Sequence, residues 1–233
     1  MQETIAIVGD GRLGRALASA LRAPRPHGRG HSGAGADVVL LCVPDAEIAT
    51  AAAAIGPGPL VGHCSGATGL DVLAPHEGFG LHPLMTVTHA GADFAGAGCA
   101  IGATTPRALD VARRLGLALG MRPFEIADED RVAYHAAASM ASNFLVTLES
   151  AAARVAATAG IERSLLVPLV RATVEAWAVE GDASLTGPIV CGDEVTVARH
   201  REAIGERAPE ARSAEARARP RRPSPTMAIV SCI

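Results

Sequence analysis

Lysine is missing from this chain. All 21 basic residues among the 233 are Arg, which excludes Schiff-base chemistry, a lysine general acid and a phosphate-gripping lysine of the Walker type. Positive charge in any active site must come from Arg, His or a helix end. Aromatic residues are scarce, with one Trp, one Tyr and four Phe, so a core must be built from Ala, Val, Leu and Ile. There is no basic excess: 21 basic residues face 24 acidic ones, for a net charge of −3. That pattern gives no reason to expect a nucleic-acid partner, and no basic amphipathic helix marks a membrane surface. No apolar run approaches the roughly 20 residues that span a bilayer, and a strand pattern begins within the first five residues, where a signal peptide would otherwise lie. The five cysteines (Cys42, Cys64, Cys99, Cys191, Cys232) are scattered, with no C-x-x-C pair. They suit a reducing cytoplasm better than a disulfide framework.

What is present is concentrated at the start. Thr4-Ile5-Ala6-Ile7-Val8 is a short apolar strand, it runs into Gly9-Asp10-Gly11-Arg12-Leu13-Gly14, and a helical pattern follows to Leu21. Strand, G-x-G-x-x-G and helix in that order form the fingerprint of dinucleotide binding. Gly9 permits the tight turn, Gly11 lets a pyrophosphate approach the backbone, and Gly14 lets the helix pack on the strand. The helix start, with Arg12 and Leu13, offers N–H groups and a positive dipole end to phosphate. The alternative is an ordinary strand–helix turn that binds nothing.

Beyond the loop, strand and helix patterns alternate. Residues 36–44 form a continuous apolar run of the buried-parallel-strand type. An Ala-rich helix over 45–55 follows, then a short strand over 59–64, a strand over 98–103, a helix over 106–119 and a strand over 122–126. This alternation predicts an α/β fold, a Rossmann-like parallel sheet with helices on both faces, over residues 1–127. From Asp128 the pattern becomes helical: one long helix over 128–159, a second over 163–180 and a third over 193–207. A smaller all-helical domain is therefore expected over 128–207. The stretch 22–35 holds two Pro and four Gly where the second sheet strand belongs. The tail, 208–233, is rich in Arg, Ala and Pro, without apolar periodicity, and reads as disordered.

Ligands of open α/β sheets bind beyond the carboxyl ends of the strands. Three loops qualify: Gly9–Gly14, Cys42–Asp45 and His63–Gly66. In the second, Val43 and Pro44 would lie against a cofactor ribose. In the third, Ser65 would bring a hydroxyl to the nicotinamide end. No Asp or Glu lies between Asp10 and Asp37 to grip a ribose, and Arg25, His27, Arg29 and His31 stand there instead, which favours NADP over NAD. His82 follows a loop and borders the same region as a candidate substrate contact. The spacings of His63, His76, His82 and His89 match no metal-ligand pattern, and no metal is expected. On the long helix, His135, Ser139 and Ser142 fall on one stripe with Asn143 at its edge. Such a stripe either faces solvent or faces a site, with His135 as proton donor and Ser142 and Asn143 placing the substrate. Asp193 can cap the third helix, and Thr196 and His200 share a face of it.

Taken in order, these pieces resemble a known family, the Rossmann-like proteins with a C-terminal domain of unknown function 2520. The matching residues are the glycine loop, Leu-Cys-Val-Pro-Asp at 41–45, His63-Cys64-Ser65-Gly66, His82-Pro83-Leu84, Tyr134-His135-Ala136-Ala137, Ser142-Asn143, Leu185-Thr186-Gly187-Pro188, Gly192-Asp193 and His200. The resemblance makes Thr186 and Asp193 further candidate substrate contacts. It implies an NADP-type Rossmann domain, a helical domain that commonly forms homodimers, and kinship with ketopantoate reductases, pyrroline-carboxylate reductases and deazaflavin-dependent NADP oxidoreductases. Cys191 stands where the family pattern has an Arg before Gly-Asp. Two readings of function follow. One is an NADP(H)-dependent oxidoreductase reducing a C=O or C=N bond of a small metabolite in an interdomain cleft. The other is a nucleotide-binding regulatory or scaffold protein without turnover.

Overall fold

The computed structural model describes residues 3–208. Its first element is β1 (Ile5–Val8), which passes through the glycine turn into α1 (Arg12–Ala20). β2 (Val38–Leu41) and β3 (Leu60–His63) follow, with the short α2 (Ile48–Ala53) between them. Then come β4 (Gly78–Leu84), β5 (Gly98–Ala103), α3 (Pro106–Ala118) and β6 (Arg122–Glu125). The six strands form one sheet in chain order. β1 to β4 run parallel, and β5 and β6 run the other way, because β4 and β5 pair antiparallel from Phe79 opposite Ala103 to Leu84 opposite Gly98. The sheet is therefore mixed, not wholly parallel. The carboxyl ends of β1 to β4 all reach one edge.

Successive strand residues face opposite sides, and the core divides accordingly. Ile7, Leu40, Phe79 and Ile101 pack with Leu17 of α1 and Val111 and Leu115 of α3. Val8, Val39, Leu41 and Val61 pack with Ile48 and Ala52 of α2. α3 begins as its sequence dictates: Thr105 caps it by accepting from Ala108 N at 3.2 Å, and Pro106 occupies the first turn. Over 22–35, where the sequence shows no apolar strand although the second sheet strand belongs there, the pairing is a single bridge. His27 donates to Ile7 O at 2.7 Å and accepts from Gly9 N at 2.9 Å, opposite Val8. β1 is thus the outermost full strand.

The single helix expected over 128–159 is four pieces. A 3-10 turn (Asp128–Asp130) leads into α4 (Arg131–Ser139), a π-helical turn (Met140–Phe144) follows, and α5 (Leu145–Ala157) continues. The chain divides into two compact units between Ser142 and Asn143, inside the π turn, whereas the sequence pattern changes at residue 127. The stretch after 127 stays with the sheet for a specific reason. Arg131 is fully buried, its Nε donates to Asp128 at 2.6 Å, and Asp128 also accepts from Leu70 N at 3.0 Å.

The second unit contains α5, α6 (Arg163–Glu180) and α7 (Glu194–Arg207), the last capped by Asp193, which accepts from Thr196 N at 3.0 Å. No residue between Asn143 and Arg207 is buried. Among the described residues, no helix is long and apolar enough to cross a membrane. The tail reading at 209–233 lies outside the described residues.

Candidate functional site

The glycine loop sits at the carboxyl end of β1, and each glycine there has a distinct reason to lack a side chain. Gly9 adopts φ +113°, and a Cβ on it would collide with the Cys42 carbonyl. A Cβ on Gly14 would strike the Gly9 carbonyl oxygen. Around Gly11 there is open space, with no atom within 4 Å of where a Cβ would stand. No side chain caps α1, so its first-turn N–H groups, from Arg12 onward, face that space without intrahelical partners. Two glycines are demanded by packing and the third leaves room for a ligand to approach the backbone at a helix start. That is the arrangement a pyrophosphate requires.

The next two loops lie beside it. Val43 is half-buried and Pro44 exposed. Ser65 is buried, and its hydroxyl donates to Asp45 at 2.8 Å and accepts from Ala67 N and Thr68 N at 3.2 and 3.0 Å. It therefore ties the β2 loop to the β3 loop. Cys42 and Cys64, far apart in sequence, are brought to an Sγ–Sγ distance of 3.8 Å as free thiols. The hydrogen bond with Cys42 and burial push the Cys64 thiol well up.

Past Ser65 the chemistry becomes denser. Gly66 is buried, and a Cβ on it would lie 2.6 Å from His135 Nδ1 and 3.1 Å from His82 Nε2. The His82 and His135 rings are 5.9 Å apart, edge to face. Tyr134 reaches across from α4 to His82, with its hydroxyl 2.7 Å from Nδ1. Beneath them, His63 is fully buried. It accepts from Ser65 N at 3.2 Å through Nδ1, so its proton is on Nε2, which donates to Gly69 O at 3.2 Å.

Arg131 organises the electrostatics. Its guanidinium lies against Gly80 and Gly102, where a Cβ would stand 2.7 and 2.9 Å away, and Nη1 and Nη2 are buried without partners among the described residues. Burial holds His63 below the usual histidine range, and the Arg131 charge adds to this. Burial, then His135 and Arg131, hold His82 down at about 4. Burial pushes Tyr134 up to about 12. For Asp128 burial acts upward, but the Leu70 N–H and Arg131 outweigh it and the carboxyl lies below its ordinary value.

Of the residues singled out from sequence, Gly9, Gly11, Arg12, Leu13, Gly14, Val43, Pro44, Ser65, His82 and His135 all occur along this one edge of the first unit. Ser142 lies in the π turn, 3.3 Å from Thr86 Oγ1. The wider turn alters the 100° spacing that put it in line with His135. Asn143, Thr186 and Asp193 belong to the second unit. Asn143 is exposed and Thr186 is exposed. Asp193 is spent on capping α7 and accepts from Thr196 Oγ1 at 2.7 Å, which lowers its pKa. Sequence reasoning gave no role to Tyr134, Asp45, Thr68 or Arg131. The available signal was that Tyr134 is the only tyrosine in the chain.

The family model described as domain of unknown function (DUF2520) matches residues 97–217, more than half of the chain. This chain belongs to the DUF2520 family. The DUF2520 protein also matches a Rossmann-like domain over residues 26–88. Among solved structures, it is similar to a Bacteroides fragilis protein proposed to be an NADP oxidoreductase, with TM-score 0.81 and 18% identity over 99% of this chain and 98% of that one. It is similar to a Thermotoga maritima protein, with TM-score 0.78 and 22% identity over 88% and 92%. A Plasmodium falciparum pyrroline carboxylate reductase with NADP bound gives TM-score 0.57 and 13% identity over 77% and 80%. At these identities the likeness is one of fold. No protein of curated function matches the DUF2520 chain by sequence.

Proposed function

We propose that this protein is an oxidoreductase that uses a nicotinamide dinucleotide to reduce a C=O or C=N bond in a small metabolite. The observation that carries the reading is the placement of the open Gly11 cradle and the His82–His135–Tyr134 group along the edge where the carboxyl ends of the parallel strands β1 to β4 meet. The residues that would hold the cofactor are Gly9, Gly11, Arg12, Leu13 and Gly14 at the pyrophosphate, with Val43 and Pro44 alongside. When bound, the cofactor supplies hydride. His135, whose Nδ1 is sealed against Gly66, gives up the proton from its other nitrogen. Ser142, beside Thr86 in the first unit, helps to place the substrate.

The preference for NADP rests on the degenerate strand. The residue bridging to Val8 is His27, flanked by Arg25 and Arg29, where a ribose-binding carboxylate would otherwise stand. Arg25 pairs with Asp10 at 3.5 Å and Arg29 with Glu47 at 3.4 Å, both exposed enough to turn to a phosphate. Among proteins of similar fold, a reductive aminase from Aspergillus terreus is in complex with NADPH, and a ketol-acid reductoisomerase from an uncultured archaean prefers NADH, so the two cofactors must be compared directly. We also propose that two copies associate through the helical unit and that the protein works in the cytoplasm, a reading that the scattered cysteines without a C-x-x-C pair support.

The test is a fluorescence titration with NADPH and NADH, then an assay of oxo compounds and imines. NADPH should bind more tightly, and at least one oxo compound or imine should oxidise it. His135→Ala should reduce turnover by roughly a hundredfold or more. Binding without turnover would replace the reading with a regulatory one, and failure to bind either nucleotide would overturn both.

A further inference from the structure

His82 stands between two neighbours on the same helix. Tyr134 and His135 are consecutive in α4, and both approach the His82 ring, with centroids at 5.6 and 5.9 Å. Tyr134 is itself held by Phe124 of β6, edge to face at 5.9 Å. The hydroxyl of Tyr134 has one hydrogen-bond partner among the described residues, His82 Nδ1. If Nδ1 donated, the phenol proton would be left unpartnered. If the phenol donates, its proton and the Nδ1 lone pair are both satisfied and the imidazole proton is forced to Nε2. Nε2 has no protein partner among the described residues. Unlike His135 Nδ1, it is not one of the buried orphaned atoms, so it keeps accessible surface beside Gly66.

We propose that Tyr134 locks His82 as a neutral, Nε2–H imidazole, and that this N–H is the hydrogen-bond donor that polarises the substrate, which makes a carbonyl oxygen the preferred acceptor. This rests on the reductase reading and divides the labour between the two histidines. His135 carries the proton that is delivered, and His82 carries none to spare. The charged and titratable groups facing His82 support that division. His135 and Arg131 on α4 and His63 on β3 oppose a positive charge on it, and only Asp45 in the β2 loop favours one. Two imidazoles this close do not both protonate readily, and burial makes His82 the one that stays neutral.

The substrate class follows from the sign of the donor. Hydride addition to a carbonyl carbon breaks the C=O π bond and leaves an alkoxide, which takes one proton from His135; solvent then restores that proton. The growing negative charge on oxygen strengthens its bond to His82 Nε2–H. A protonated imine would instead point its own N–H at Nε2–H, donor against donor. His82 is thus a catalytic residue that selects oxo compounds over iminium ions, and Tyr134 is a positioning residue.

Nitrogen NMR of the full chain with 15N-labelled histidine tests the lock without any turnover. His82 should show a pyridine-type Nδ1 and a pyrrole-type Nε2 throughout neutral pH, and Tyr134→Phe, which keeps the ring against Phe124, should erase that preference. A pyrrole-type Nδ1 in the wild-type protein would overturn the proposal. In the reductase assay, Tyr134→Phe should lower kcat about tenfold with KM little changed. His82→Gln, whose amide can replace the Nε2–H, should keep at least tenfold more activity on oxo compounds than His82→Leu. Equal activities for Gln and Leu, or faster reduction of imines than of carbonyls, would overturn it. A wild-type protein that reduces nothing would instead refute the reductase reading, while the NMR result still decides whether the lock exists.

Discussion

Gly11 and Gly14 differ by three positions and by the reason each lacks a side chain, and this difference separates stability from binding. A methyl group on Gly14 would collide with the Gly9 carbonyl, and backbone cannot swing aside as a side chain can. Gly14→Ala should therefore cost the fold about 2–4 kcal/mol and lose nucleotide binding as a consequence. At Gly11 the backbone has φ −80° and no atom lies within 4 Å of the added carbon. Gly11→Ala should leave stability within about 0.5 kcal/mol of wild type yet weaken nucleotide binding at least tenfold. Thermal melts and fluorescence titrations of the two variants check this. An unchanged affinity in Gly11→Ala would mean that the cradle holds no pyrophosphate. The same residue-scale reasoning explains Ser65. Its hydroxyl is committed to Asp45 and the Ala67 and Thr68 amides, so its first effect is to fix two loops against each other.

Among the elements, the seam where β3 and β4 meet α4 carries the acid sensitivity of this fold. His63 and His82 both sit there with pKa values below that of a free histidine, His82 at about 4. An unfolded chain would take up protons on both near 6.5, and the folded chain resists. Stability is therefore complete above about pH 6.5 and falls as pH drops toward 4. For His82 alone the loss by pH 5 is about 2 kcal/mol. Urea denaturation at pH 7.5 and pH 5 should show a fall of at least that size, and His82→Gln should flatten it. A flat profile in the wild type would show that the seam is wet and the histidines titrate normally. The sequence reveals this region unevenly. β1, β2, β3, α3 and α6 are legible because their apolar residues follow the period of their element and their ends carry Gly, Thr105 or Pro106. β4 is not legible: Gly78, Gly80 and Pro83 all argue locally against a strand. Gly80 is there because the Arg131 guanidinium lies flat on it, a contact with a residue far along the chain that no local pattern announces. With β4 unseen, the meeting of His82 with Tyr134 could not be foreseen, although His135 could be picked out by helical spacing. The π turn that places Ser142 has no sequence signature at all.

At the level of the whole molecule, the helical unit has too much apolar surface for a solvated end. α6 carries Leu165 at 69% exposure, Leu169 at 65%, Trp177 at 60% and Val179 at 85%, with Val167 and Val174 also exposed. At 100° per residue, Leu165, Leu169, Trp177 and Val179 cover one side of the helix, and Val167 and Val174 lie on the opposite side. A helix with this many large apolar side chains is ordinarily covered on at least one face, and an exposed apolar patch of this kind marks an interaction site. A second copy is the proposed cover, since an interface made from α6 and its symmetry mate would enclose the very residues that the unit leaves exposed. The helical unit would then owe its stability to association, so the melting temperature should rise with protein concentration. Sedimentation or light scattering at micromolar concentration should give about twice the 23.7 kDa of one chain. Leu169→Glu and Trp177→Glu each place a charge in the contact without touching the sheet core, and each should shift the protein toward monomer and remove the concentration dependence of melting. A wild-type protein that sediments as a monomer and melts at the same temperature over a hundredfold range of concentration would rule out the homodimer.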